Sequence, residues 1–323
     1  MSGGIDPGCI RIGLAIADGR VSAVELAGDR PQLSSALRGR KADEAVRLLP
    51  LLFAICGKAQ GRAAQLALDA ARGVAAAPQL DPAIAGEVMR EHLWRWLLDL
   101  PPLLGEAPLK TEFAAALNWV ARAQRDHLAE LLAGPRIADL TRHLEVAVRA
   151  AVGAEASPVA MLPGLDAATS LRHWPRLDAS FSRLPQWQGA VAETGALARR
   201  GGAAAPSLAL RWMARRAEVD DWAQGRAKVG AGGTASAASV APGVGRALVE
   251  TARGLLMHEV ELDGERIANY VIVAPTEWNF HPQGPLAGWL AGSDATDLAA
   301  LQARVALAVA TLDPCVRWEL AWL

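Results

Sequence analysis

The sequence predicts an α+β fold that is mainly α-helical. Short segments rich in Ile, Val and Leu, joined in pairs by Asp-Gly, lie towards both ends of the chain. Between them, Ala and Leu recur at three- and four-residue steps, which is the helical period. A length of 323 residues with 52% hydrophobic residues is enough to bury a large core. We therefore expect a single domain over residues 1–323, with a central bundle of long helices and β-hairpins from the N-terminal and C-terminal regions.

Two β-hairpins are expected, one towards each end of the chain. In each, two apolar segments flank an Asp-Gly pair, whose tolerance of positive φ suits a two-residue hairpin turn. Pro275 ends the last of these strands because proline has no N–H to donate to a strand ladder. The segments are 10–17 and 20–27 around Asp18-Gly19, and 256–262 and 266–273 around Asp263-Gly264.

The central region is expected to be helical, and one connector interrupts the later part of the chain. Residues 230–245 are rich in Gly, Ala and Ser, which predicts either a flexible linker or a long loop within one domain. The same segment contains a G-x-G-x-x-A string, but no predicted strand precedes it, so a dinucleotide-binding loop is not expected. The predicted helices are 58–77, 83–100, 110–132, 137–152 and 208–222.

Composition argues against two classes of partner. Lys and Arg total 33 against 34 Asp and Glu, so a net charge of −1 gives no basis for tracking a phosphate backbone or an anionic membrane. The longest uncharged apolar run, 48–56, is far shorter than the roughly 20 residues that a membrane-spanning helix needs. No export signal opens the sequence, and three cysteines are too few for a disulfide framework. We expect a cytoplasmic protein that binds neither nucleic acid nor membrane.

The motifs of common enzyme classes are missing from the sequence. It contains no G-x-x-x-x-G-K, G-x-S-x-G, H-E-x-x-H or C-x-x-C string. The six histidines are scattered without the spacing of metal ligands. The sequence therefore gives no support to the standard catalytic sites, and we expect a protein that is not an enzyme.

Two of the three cysteines lie in segments that suggest chemistry. Cys56 precedes a predicted helix, whose free N–H groups and dipole, together with a nearby lysine, would favour the thiolate. The alternative is a buried structural cysteine that closes an apolar run. Cys315 follows Asp313-Pro314 in a turn-like segment, whereas nothing beside Cys9 suggests activation. The sequence thus offers Cys56 and Cys315 as candidate thiol sites.

The second predicted hairpin should bring two further segments together. Arg253 lies just before this hairpin, and residues 274–279 follow it. A hairpin returns the chain to the edge at which it started. We therefore expect Arg253 to be a neighbour of the second segment.

Taken together, these segments resemble the large subunit of nickel-iron hydrogenases. Several stretches are similar to that family's motifs, and they occur in the same order. In that family four cysteines bind the metals: two lie on nickel alone, and two bridge nickel to an iron that carries cyanide and carbon monoxide. The similar stretches are IRIGLAIADGRV after Asp6-Pro7, LRGRKADEA leading into AICGKA, WQGAVAETGALAR at 187–199, TARGLLMHEVELDGERIANYVIVAPTEWN at 251–279, and Asp313-Pro314-Cys315.

The same resemblance shows which parts of that metal site the chain lacks. Ala59 and Trp318 stand where the family has its two bridging cysteines. Ala63 and Ala321 stand where it has histidines. Without bridging thiolates and a proton path, we expect neither bound nickel nor hydrogen chemistry.

The positions that surround the iron in that family are better preserved. The resemblance implies that Arg253 faces one cyanide and Thr276 hydrogen-bonds the other, since cyanide nitrogen is a good acceptor for guanidinium and hydroxyl donors. Leu256 resembles the apolar wall near carbon monoxide, and Asp99 is the expected carboxylate partner of Arg253. The site residues implied are Cys56 and Cys315 for the metal, and Arg253, Leu256, Pro275 and Thr276 for its ligands.

This pattern of losses resembles the HupK/HoxV-type hydrogenase assembly proteins. The resemblance implies a scaffold that carries the Fe(CN)₂(CO) unit during maturation and passes it to the apo large subunit. The implied partners are the maturation chaperone, the iron-assembly factors and that apo large subunit. Two alternatives stay open: a metal-free chaperone that binds maturation factors or hydrogenase subunits, and an enzyme in which Cys56 is a nucleophile served by His258.

Overall fold

The structure, a computed structural model, describes residues 8–29, 33–53, 55–152, 159–203 and 206–323. The opening Asp6-Pro7 pair and Ala54 lie outside the described residues. The strands are β1 Cys9–Ala17, β2 Arg20–Asp29, β3 Ala76–Leu80, β4 Ala160–Met161, β5 Ala192–Glu193, β6 Thr234–Ala241, β7 Val244–Thr251, β8 Gly254–Asp263, β9 Arg266–Val273 and β10 Arg317–Trp322.

The helices lie mainly between β2 and β6, where three short strands interrupt them, and between β9 and β10. A π-helical segment, Arg95–Asp99, joins the third α-helix to the fourth, and a 3₁₀ helix covers Leu33–Leu37. The α-helices are α1 Ala42–Leu52, α2 Gly57–Ala71, α3 Pro82–Trp94, α4 Leu100–Leu103, α5 Lys110–Ala121, α6 Arg125–Ala133, α7 Pro135–Val152, α8 Ala167–Ser170, α9 Ala196–Arg199, α10 Leu208–Ala223, α11 Pro275–Asn279, α12 Pro285–Leu290 and α13 Leu298–Leu312. Within the described ranges, no helix is both long and apolar enough to cross a membrane.

The described strands form three sheets. The largest has the order β3-β6-β7-β8-β9, with antiparallel neighbours throughout. A second sheet has the order β10-β1-β2, in which β1 pairs parallel with β10 and antiparallel with β2. The strands β4 and β5 form a short parallel pair. The fold is thus the expected mixture of helices and sheets.

Both hairpin turns follow from local backbone chemistry. Asp18 and Gly19 have φ of 51° and 71°, and a type I′ turn needs positive φ at both positions. In the second hairpin, Asp263 pairs with Arg266, so Gly264 is the first loop residue rather than the second. Its φ of 56° fits the type II′ turn, which places glycine at that position.

The prediction of a flexible linker or long loop at 230–245 is wrong over most of that segment. Strand β6 and the start of β7 occupy it, and β6 is buried over its first half. The helix α2 packs across β6, β7 and β8. At Gly245 a Cβ atom would lie only 2.1 Å from the carbonyl oxygen of Ala67 on α2. Small residues are therefore needed where this helix packs closely on the sheet. A strand rich in small residues has the same composition as a flexible connector, so the two cannot be distinguished by composition.

Two of the predicted central helices are shorter or broken in the structure, whereas the predicted helices 137–152 and 208–222 are observed as Pro135–Val152 and Leu208–Ala223. Helix α2 ends at Ala71, and strand β3 begins at Ala76, inside the predicted helix 58–77. The predicted helix 110–132 is two helices, separated at Ala123, which has a φ of 51°. Both halves keep the same apolar period, so periodicity did not reveal the break. In the described centre, helices α3, α6, α7 and α10 pack on one another, and α2 packs on the largest sheet.

We expect Gly245→Ala to destabilise the fold by about 2–3 kcal/mol, because the new methyl group must push α2 away from the sheet. Gly28→Ala on β2 is the matched control, since no atom lies within 4 Å of its added Cβ and its φ is not positive. Urea unfolding measures both free energies. Equal transition midpoints for the two variants would contradict the close approach of α2.

Candidate functional site

The fold brings four of the predicted site residues to one place. Cys56 lies immediately before α2, and Cys315 lies between α13 and β10. The hydroxyl of Thr276, on α11, is 3.2 Å from Cys315 Sγ, within hydrogen-bond distance. A negative charge on Cys315 would raise the pKa of Cys56. Negative charges on the two sulfurs would likewise raise the pKa of Arg253, so all three groups lie close enough to interact. The two thiols, the guanidinium and the hydroxyl therefore form one cluster, here called the thiol site.

Arg253 is buried in the turn between β7 and β8 and is held by two carboxylates. Its Nη2 donates to Glu91 Oε2 at 3.0 Å and lies 3.2 Å from Asp313 Oδ1. Its Nε is buried without a hydrogen-bond partner among the described residues. Burial lowers the pKa of Arg253, but the carboxylates of Asp313 and Glu91 raise it by more than burial lowers it, so the guanidinium stays charged. One donor of this buried cation is therefore left without an acceptor among the described residues.

Asp313 links Arg253 to two more arginines. It ends α13 in the left-handed region with φ of 60°, and its Oδ1 accepts from Arg95 Nε at 2.7 Å. Arg215 lies 3.7 Å from its Oδ2. Burial raises the pKa of Asp313, but the three guanidinium groups lower it more strongly, to about 2. The carboxylate is thus ionised, and it fixes the position of Arg253.

The expected pairing of Asp99 with Arg253 is wrong. Asp99 pairs with Arg95, whereas Glu91 and Asp313 hold Arg253. Sequence reasoning missed Glu91, although its spacing of four residues from Glu87 puts both carboxylates on one face of α3. Glu87 and Glu91 both point towards the thiol site, one to the start of α2 and the other to Arg253.

Of the two interpretations of Cys56, the structure favours a protonated thiol over an activated thiolate. Glu87 accepts the N–H groups of Lys58 and Ala59 at 2.9 and 3.1 Å, so its carboxylate already occupies the start of α2. Burial, a charge on Cys315 and the charge on Glu87 raise the pKa of Cys56 to about 12, against the lowering effects of Arg253 and Gln60. The resting state at neutral pH is therefore the thiol.

Cys9, Leu256 and Pro275 contribute no polar group to the thiol site. Cys9 is buried on β1, where its thiol donates to the carbonyl of Ile10, and its pKa is raised by burial. Leu256 is fully buried on β8 within the main hydrophobic core. Pro275 is buried as the first residue of α11, next to Thr276. The last two are apolar, and the contacts of Leu256 with carbon monoxide and of Pro275 with the iron ligands stay predictions.

His258 does not lie beside Cys56 as a catalytic base would. It is fully buried on β8, and its ring nitrogens bond Tyr270 and Gln60 at 2.8 and 2.9 Å. Burial lowers the pKa of His258 to about 3. Gln60 bonds the imidazole and approaches the sulfur, so His258 and Cys56 do not form a direct nucleophile–base pair.

Two features set what the thiol site can hold. Over the described ranges, no group of three or more His, Cys, Asp or Glu side chains is arranged to bind a metal ion. An open groove of about 690 Å³ runs past Gly57 and Lys58, directly after Cys56, and is bounded by Pro50, Ile84 and Glu87. The site therefore offers at most two thiolates together with nearby donors, and it lies next to an open surface.

Sequence comparison identifies the relatives of this chain. It is 34% identical to the hydrogenase expression/formation protein HoxV of Cupriavidus necator, over 90% of this chain and 91% of that protein. It is 32% identical to HupK of Rhizobium leguminosarum bv. viciae and 35% identical to HupK of Bradyrhizobium diazoefficiens, over at least 90% of each chain. The chain belongs to the HupK/HoxV family of hydrogenase expression/formation proteins. The resemblance inferred from the motifs is confirmed, and family membership supports an accessory role in hydrogenase maturation.

The chain also shares the fold of a solved hydrogenase. A family profile described as nickel-dependent hydrogenase matches residues 215–316, which include Arg253, Thr276 and Cys315. The structure of the Ni-Fe-Se hydrogenase from Desulfovibrio vulgaris Hildenborough superposes with a TM-score of 0.56 at 16% identity. That superposition covers 93% of this chain and 94% of the other. The similarity establishes a common fold with the nickel-iron hydrogenase large subunit.

Proposed function

We propose that this protein is a non-catalytic carrier that holds the Fe(CN)₂(CO) unit at Cys56 and Cys315 and passes it to the apo large subunit. One observation carries the proposal: two cysteines share a site with a buried guanidinium that has an unused Nε donor. The hydroxyl of Thr276 lies within hydrogen-bond distance of the Cys315 sulfur. These groups complement the parts of the cargo, since thiolates suit low-spin iron and cyanide nitrogen accepts hydrogen bonds.

The protonation state of Cys56 supports a carrier rather than a permanent metal site. Iron can bind this sulfur only after the proton leaves. Because the pKa of Cys56 is about 12, the proton competes strongly with the metal for the sulfur at neutral pH. Two protein ligands also leave most of the iron coordination sphere to the cargo's own ligands. Both features favour release, and we expect no nickel because the chain lacks the two bridging thiolates.

The surface beside the thiol site favours a second candidate function, a metal-free chaperone. Leu51, with 77% of its surface exposed, and Ile55, with 39%, lie just before Cys56. The open groove continues past Lys58 and Glu87. Exposed apolar side chains beside a groove are typical of protein-binding surfaces. The partners proposed for either function are the maturation chaperone, the iron-assembly factors and the apo large subunit.

Infrared spectroscopy of protein purified from cells with the maturation machinery tests the carrier. We expect cyanide and carbonyl bands in the wild-type chain and none in the Cys56→Ala/Cys315→Ala double variant. Cys9→Ala is the matched control and should retain the bands, because Cys9 contributes nothing to the thiol site. Bands that persist in the double variant overturn the carrier. Capture of the same partners by a chain that never shows bands favours the metal-free chaperone.

A further inference from the structure

One outer strand of the smaller mixed sheet has an open hydrogen-bonding edge. Strand β10 lies at the outside of the sheet β10-β1-β2, and β1 is its neighbour among the described strands. Leu323 donates its backbone N–H to the carbonyl of Leu14 on β1 at 2.9 Å. Successive residues of a strand turn their N–H and C=O groups to opposite edges. The backbone groups of Trp318, Leu320 and Trp322 therefore face away from β1.

The other outer strands of the two larger sheets are covered or blocked. Strand β9 exchanges backbone hydrogen bonds with residues 39–40, and the start of β2 exchanges them with residues 292–293. Strand β3 contains Pro78, which has no N–H to donate to a further strand. Over the described part of the chain, the backbone of residues 318–323 forms hydrogen bonds with β1 alone. Strand β10 thus offers the open edge.

The side chains of β10 also suit a neighbouring strand. Trp318, Leu320 and Trp322 share one face, because side chains alternate along a strand. The first two pack partly on the main hydrophobic core, whereas Trp322 is 44% exposed. Glu319 and Ala321 lie on the other face and are exposed. An open edge with exposed apolar side chains is typical of a strand that pairs with another chain.

We propose that β10 pairs antiparallel with β10 of a second copy of this chain, about a two-fold axis at Leu320. Two three-stranded sheets then become one continuous sheet. Trp318 lies opposite Trp322 of the second copy, and Leu320 lies opposite its own counterpart. In each of these pairs the outward backbone groups face each other and exchange hydrogen bonds. Cross-strand pairs of aromatic and aliphatic side chains add to the stability.

Charge selects this register over its neighbour. An axis at Glu319 would allow the same length of overlap, but it would place the two Glu319 carboxylates directly opposite each other, which is destabilising. With the axis at Leu320, Glu319 lies opposite Ala321 of the second copy. The same patch is then used on both copies, as a two-fold dimer requires. The edge is therefore complementary to itself in one register.

A charge at position 321 tests this register in the purified, full-length protein. Ala321→Glu puts a carboxylate opposite Glu319 twice in each dimer, so the dissociation constant should rise about two- to thirtyfold, and Ala321→Lys should lower it by a similar factor. Because so short an interface is weak, sedimentation equilibrium is measured from about 1 to 200 µM. Ala23→Glu and Ala23→Lys, at an exposed alanine on β2 opposite Ala15, are the matched controls and should change nothing.

Amide hydrogen exchange locates the interface residue by residue. The amides of Trp318, Leu320 and Trp322 should exchange more slowly at high protein concentration, whereas those of Glu319 and Ala321 already bond β1 and should change little. Trp322→Pro removes an outward N–H from each copy without removing a bond to β1. We expect this variant to weaken the dimer about tenfold.

Three results would overturn the inference. The first is a wild-type chain that stays monomeric throughout the concentration range. The second is a dimer whose dissociation constant moves in the same direction, or not at all, in Ala321→Glu and Ala321→Lys. The third is unchanged amide exchange along β10. If the chain is monomeric and Trp322→Pro instead weakens capture of purified apo large subunit, the edge binds a strand of that protein and pairing with a second copy is wrong.

Discussion

Replacing Arg253 by leucine is expected to destabilise the protein by about 3–5 kcal/mol, the usual effect of removing one partner from a buried ion pair. The guanidinium lies at hydrogen-bond distance from Glu91 and Asp313, and both carboxylates are buried. Among the described residues, its removal leaves Glu91 with only the partly exposed Arg90 as a cationic partner. Urea unfolding at neutral pH measures the loss.

Two further variants show whether the loss comes from unpaired charge. Arg142→Leu removes an exposed arginine that pairs with Asp139, and it should cost less than about 1 kcal/mol. Arg253→Leu/Glu91→Leu removes both members of one buried pair, so it should lose less stability than the two single variants combined. Strict additivity, or a loss in Arg253→Leu as small as that in Arg142→Leu, would show that Arg253 is not held as described.

Acidification is expected to destabilise the protein strongly through His258. Its pKa is about 3 in the fold and about 6.5 in an unfolded chain. Between these values the unfolded state binds a proton that the folded state refuses, so stability falls as the pH drops from 6.5 towards 3. At about 1.4 kcal/mol per pKa unit, the full loss is roughly 5 kcal/mol. Burial also lowers the pKa of His92, so this side chain adds to the loss of stability at low pH.

Unfolding free energies measured at several pH values between 7 and 4 check this expectation. His258→Gln should be less stable than wild type at pH 7 but should lose less stability on acidification, because one buried titrating group is gone. His127→Gln, an exchange at an exposed histidine, controls for the substitution itself. A His258→Gln variant with the wild-type pH dependence would contradict the buried, neutral state of this imidazole.

Local turn chemistry could be predicted from the sequence, and close packing could not. The Asp18-Gly19 hairpin was predicted because the φ values of a two-residue turn depend on the turn residues themselves. Residues 230–245 were misassigned because small residues serve both flexible connectors and a sheet that a helix approaches closely. The break at Ala123 was missed because both flanking helices share one apolar period.

In the thiol site, too, the local motifs could be predicted and the contacts between helices could not. Ordered motifs indicated Cys56, Cys315, Arg253 and Thr276, and the structure places them together. The protonation state of Cys56 was left open by the sequence because Glu87, on a different helix, occupies the N–H groups that would have favoured a thiolate. Such contacts depend on how helices pack against each other, which the residues around Cys56 do not encode.

Transfer of labelled cargo tests the carrier most directly. The protein is purified with ¹³C-labelled cyanide and carbonyl on its iron, mixed with unlabelled apo large subunit, and separated again before infrared spectra are recorded. We expect the labelled bands to leave this chain and to appear in the large subunit, and we expect the Cys56→Ala/Cys315→Ala double variant to deliver none. Labelled bands that stay on this chain, or that reach the large subunit equally well from the double variant, would contradict the account.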